Sequence, residues 1–106
     1  MTKIKILAEH IEEELCAAKE YAEKYVEYKA KGNMQWANRY KEMANDELKH
    51  ASYLHDKATQ DIEELSKVFK PTEEMEEKWE KCHKKYVEQT AWIKQMLAMY
   101  RSLYDF

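Results

Sequence analysis

Apolar positions recur every three or four residues along nearly the whole chain, and the pattern breaks at two points. From Thr2 to Ala30 they fall at Ile4, Leu7, Ile11, Leu15, Ala18, Ala22, Tyr25 and Val26, which is the stripe of a helix with one face turned to a core. Lys31-Gly32-Asn33 interrupts it: Gly32 can take the left-handed conformation that closes a helix, and Asn33 can cap the next. A second stripe over 34–69 comprises Ala37, Tyr40, Ala44, Ala51, Leu54, Ala58, Ile62, Leu65 and Phe69. Pro71 ends it, because the residue before a proline resists the α conformation. Thr72 then caps a third helix over 73–104, whose first turn holds Glu73 and Glu74 at the positive end of the helix dipole. Its stripe is Met75, Trp79, Cys82, Tyr86, Ile93, Leu97, Tyr100 and Tyr104. The prediction is an all-α protein, an up-down-up bundle of three long helices joined by tight connections, forming a single domain over residues 1–106. One glycine and one proline in 106 residues exclude a sheet protein, which needs turns throughout.

Composition adds three exclusions and one partner. A formal charge of −3 with acids and bases interspersed provides no basic stripe, so nucleic acid is not expected. No apolar run approaches the roughly 20 residues of a membrane span. The opening Met1-Thr2-Lys3-Ile4-Lys5-Ile6 leads into an amphipathic pattern rather than a cleavable signal, which predicts a cytoplasmic protein. Cys16 and Cys82 lack metal or redox spacing and read as free thiols of a reducing compartment. Trp92, Met96, Met99 and Leu103 lie outside the main stripe of helix three. A second apolar side of that kind predicts a homodimer through helix three.

The candidate chemistry sits in Ala44-Asn45-Asp46-Glu47-Leu48-Lys49-His50-Ala51. At about 100° per residue, Glu47 falls near the centre of the apolar side of helix two, with His50 one turn on. A carboxylate aimed at a core stays neutral, pairs with a cation or binds a metal. On helix one, Glu14 lies at the edge of the apolar stripe, whereas Glu13 and Glu20 point into water. A hairpin turning at Gly32-Asn33 brings Glu14 beside His50 and one turn from Glu47. Carboxylates from one helix and a Glu-x-x-His pair from the next are what each half of a four-helix bundle contributes to a di-iron or di-manganese site. The structural alternative pairs Glu14 with Lys49 or Lys19 and leaves His50 at the rim. A weaker set on helix three, Glu76, Glu80 and His83, projects about 90°, 130° and 70° from the centre of its stripe. His10, one turn before Glu14, is a candidate outer-shell partner. His55 cannot share the face of His50 and receives no role.

The residues around the two acids carry a resemblance. Glu14-x-x-Ala17-x-x-x-Tyr21, Ala30-x-Gly32 and Trp36-Ala37-x-x-Tyr40-x-x-x-Ala44-x-x-Glu47-x-x-His50-Ala51 resemble the first helical hairpin of the rubrerythrin-like branch of the ferritin-like superfamily. That resemblance implies Glu14, Glu47 and His50 as ligands of iron or manganese, and Tyr21 as a hydrogen-bonding neighbour of a ligand. It implies iron oxidation, peroxide reduction or iron storage. It equally allows a metal-free scaffold or adaptor, since phage and bacterial relatives have kept the bundle and lost the metal. The family supplies a second hairpin, and this chain has one further helix. Two hairpins related by a two-fold axis would restore the full set of four Glu and two His; helix three, through His83 with Glu76 or Glu80, is the poorer substitute.

Overall fold

The described residues form three helices: α1 (Thr2–Ala30), α2 (Met34–Ser66) and α3 (Glu73–Tyr104). The computed structural model describes residues 2–104, and the side chains of residues 3–98. α1 closes as the sequence anticipates. Gly32 has φ 78°, and the amides of Gly32 and Asn33 donate back to the carbonyls of Lys29 (3.0 Å) and Tyr28 (2.9 Å), the paired bonds that terminate a helix at a left-handed glycine. Asn33 then accepts from the Trp36 amide at 3.3 Å and caps α2. At the start of α3, the Thr72 hydroxyl does the same for the Met75 amide at 3.2 Å.

α2 stops at Ser66, three residues short of the predicted Phe69. The Lys67 and Val68 amides bond three residues back, to Glu64 (3.2 Å) and Leu65 (3.0 Å), which tightens the last turn. The Ser66 hydroxyl donates to the Ile62 carbonyl at 2.8 Å and competes for the helical acceptor. Val68 is 80% exposed and Phe69 44%. The Phe69 amide still bonds the Leu65 carbonyl at 3.0 Å, and Pro71, which has no amide hydrogen, prevents the helix from going on.

α1 and α2 pack closely over a seam of small residues: Ala18, Ala22, Ala37, Ala44, Ala51 and Ala58 are all fully buried. Partners across the seam run in opposite order along the two helices. Lys3 meets Asp61, Glu14 meets His50 and Tyr21 meets Tyr40, so residue numbers keep a nearly constant sum, as a hairpin turning at Gly32 requires. α3 lies chiefly against α1 and comes close to α2 sparingly. Its buried Ile93 and Leu97 enter the core formed by Ile11, Leu15, Tyr25 and Leu48, and Lys85 bonds Glu12 of α1. Nearer the start of both helices the packing loosens into a cleft of about 500 Å³, lined by Ile4, Ala8, Ile11, Leu15, Met75, Trp79 and Cys82 with charged residues at its rim.

Of the four residues expected to give helix three a second apolar side, Trp92 is 46% exposed and Met96 packs against the core. The side chains of Met99 and Leu103, like those of Tyr100 and Tyr104, lie outside the described residues. Cys16 is exposed and Cys82 half-buried, and both are free; burial, with Glu12 nearby, pushes the Cys82 thiol up. Among the described residues, no helix is long and apolar enough to cross a membrane. Asp61 is a charged side chain buried in the hairpin, with Lys57 at 3.0 Å and Lys3 at 3.5 Å. The hydrogen bond from Lys57 holds its carboxyl below the usual carboxylate range. Its one mark in the sequence is its angle on the α2 wheel, about 20° from Leu54.

Candidate metal centre

Glu14 of α1 and Glu47 and His50 of α2 come together: one ligand atom from each lies within 4.8 Å of the other two. The seam of alanines explains the meeting. Ala18, Ala44 and Ala51 lie one turn from these residues and let the two backbones approach, so short side chains can reach across. His50 Nδ1 stands 3.7 Å from Glu14 Oε2 and 3.8 Å from Glu47 Oε2. Both separations exceed a hydrogen bond, so the imidazole leaves both carboxylates short of a direct partner. Both fit inside the span of roughly 4.4 Å that two donors of one ion can have, given bonds of about 2.0–2.2 Å.

The carboxylates are half-buried, with 28% and 23% of their side chains exposed, and His50 is 53% exposed. Among the described residues, no lysine or arginine pairs with either acid. Lys49 and Lys19, the partners of the structural alternative, make no ion pair with Glu14. Two like charges sharing a partly dry site repel each other and favour a cation between them. The arrangement can hold a hard divalent ion by two oxygens and one nitrogen, with its outer side open to water or to further ligands.

The other predicted residues stand elsewhere. Glu76 and Glu80 are exposed on α3 and His83 turns to His55, so helix three does not join the cluster. His10 is exposed and forms no hydrogen bond or ion pair with the cluster. Tyr21 forms no hydrogen bond to either acid. Its ring packs 6.1 Å from that of Tyr40, which stacks on Tyr28 at 5.5 Å and 12°.

The residue that sequence reasoning passed over is His55. It does leave the face of His50, but that turns it towards α3, where its Nε2 meets His83 Nδ1 at 2.7 Å. Tyr86 stacks on its ring at 4.2 Å and 12°, and Trp79 lies at 5.4 Å. The available signal was the run Trp79, His83, Tyr86 at helical spacing on α3. Burial, reinforced by His83 and opposed by Asp56, holds the His55 imidazole below its ordinary range. The folded chain therefore binds fewer protons here than the unfolded one. Stability should fall as pH drops below the unfolded value near 6.5 and then through the lower folded value. Urea unfolding between pH 5 and pH 8 checks this: His55→Phe should flatten the slope, and a His55 ring proton titrating at or above about 6.5 would refute it.

No protein-family model matches the chain, and the searches of curated proteins and of solved structures found no match either.

Proposed function

We propose that this protein is a small ferritin-like helical protein that binds iron or manganese through Glu14, Glu47 and His50, and that it serves iron handling or oxidation and peroxide chemistry. One observation carries the reading. Two half-buried carboxylates and an imidazole, drawn from both helices of a hairpin, converge without a lysine or arginine to neutralise them. The resemblance of residues 14–51 to a rubrerythrin-like hairpin agrees with it. When bound, a redox-active iron would supply electrons to dioxygen or peroxide. The chain's own part is to present hard oxygen donors and one imidazole on a rigid seam and to keep one side of the ion covered.

One chain offers half of the ligand set of a di-metal bundle. The other half comes, in this reading, from a second copy whose hairpin packs against the first about a two-fold axis. α3 lies chiefly on α1 and takes no part in the cluster, which leaves the Glu47 side of the hairpin available. Trp36 and Met43, at helical spacing from Glu47, are 43% and 37% exposed there and would be covered. Within each copy, the order of contacts between α1, α2 and α3 supports the up-down-up arrangement. The competing reading is a metal-free helical scaffold. It uses the apolar side of α3, where Trp92 is 46% exposed, as its contact surface and needs no ion.

Titration of chelator-stripped protein with Fe²⁺ or Mn²⁺ under argon separates the two. The expected result is about one ion per chain, a dimer by light scattering, and loss of both in Glu47→Gln. Metal content below about 0.2 per chain, unaltered by the substitution, would leave the scaffold.

A further inference from the structure

On the side of α2 that faces α3, two imidazole nitrogens converge without any carboxylate. His55 Nε2 and His83 Nδ1 are 2.7 Å apart. Two protonated rings cannot make that contact, so at least one nitrogen presents a lone pair to the other. The rings are held by their neighbours: Tyr86 stacks on His55, and Trp79 lies within 6.3 Å of both rings. We infer that His55 and His83 form a two-histidine site for a divalent ion of the nickel and copper class, separate from the carboxylate cluster.

With metal–nitrogen bonds of about 2.0–2.1 Å, two nitrogens on one ion stand roughly 2.9 Å apart at a right angle and roughly 3.3 Å apart at a tetrahedral angle. The 2.7 Å observed is the hydrogen bond the rings share, so an ion needs the nitrogens to part by only a few tenths of an ångström. Entry of the ion displaces the shared proton to water and turns each ring off the nitrogen–nitrogen line. Donor chemistry sets the class: nitrogen sites hold nickel and copper more tightly than manganese or iron, whereas the Glu14 and Glu47 oxygens suit hard ions such as manganese. His83 is exposed, which leaves the remaining positions to water. An ion here would tie α3 to α2, which otherwise approach sparingly, so binding should also stabilise the fold.

The test uses the full chain, stripped with chelator, and NiCl₂. Nickel is preferred over copper because the free thiols of Cys16 and Cys82 would be oxidised by Cu²⁺. In the unsubstituted protein, Ni²⁺ should broaden the ring-proton resonances of His55 and His83 before those of His10 and His50, and should raise the melting temperature. His83→Gln and His55→Gln each remove a ligand outright, so affinity should fall by more than the roughly 10–100-fold typical of losing an outer-shell partner. Glu47→Gln should leave the nickel affinity of this pair unchanged, whatever it does to iron. Equal nickel affinity in His83→Gln, or broadening that reaches His50 first, would overturn the assignment. The resonance order is read on the unsubstituted chain, so a variant that fails to fold cannot conceal the answer.

Discussion

Ile93→Ala should lower stability by about 2–5 kcal/mol and the melting temperature by roughly 10 to 30 °C. Ile93 is fully buried and belongs to the cluster that includes Ile11, Leu15 and Leu48, so its methyl groups are what α3 inserts between the helices of the hairpin. The lost burial and the hole left behind act together, because a core of helices fixed at both ends closes only partly around a missing group. Against a total of roughly 5–15 kcal/mol, that loss threatens the fold as a whole. Calorimetry with matched circular dichroism checks it. A shift below about 4 °C would mean that α3 is docked more loosely than its buried residues imply. The conservative Ile93→Val should cost about 0.5–1.5 kcal/mol, which keeps the test readable if the alanine variant unfolds.

Glu47→Leu should act in opposite directions with and without metal. In metal-free protein, leucine removes a half-buried acid that faces the like charge of Glu14 and adds apolar surface beside the alanine seam, so the melting temperature should hold or rise. With Mn²⁺ at a hundred times its dissociation constant, the unsubstituted chain should gain about 2.7 kcal/mol, or roughly 10 to 20 °C, and the variant should gain nothing. Paired scans with Mn²⁺ and with chelator measure both effects. If the unsubstituted chain shows no metal-dependent shift, Glu47 is a tolerated defect of a scaffold. If the variant keeps the shift, the manganese sits elsewhere and the assignment to Glu47 fails.

These two experiments probe different levels of the same architecture. Ile93 reports on how the third helix is held, and Glu47 on what the first two helices hold between them. The carboxylate cluster is built on the tightly packed seam, where short residues fix the spacing of the backbones. His55 and His83 lie where α2 and α3 approach sparingly, so an ion there would change the coupling between helices more than the packing within them.

The residues alone determined the helices and the level at which they meet. A period near 3.6 marks each buried face, Gly32 and Pro71 permit few alternatives to a turn, and a short connection forces antiparallel neighbours; these are local constraints, written within a few residues. They also placed Glu14 beside His50, because the register of a hairpin follows from its turn. Tertiary structure decided what depends on a third body. The angle at which α3 settles left its Glu76 and Glu80 in water, turned its His83 to His55 and drew Met96 into the core. The ring of Tyr21 lies against that of Tyr40, and bonds three residues back from Lys67 and Val68 close α2 before Phe69. A helical wheel records direction around one axis. Which side chains touch across two axes is set by how the helices roll and slide to fill space, and that is a property of the whole packed set.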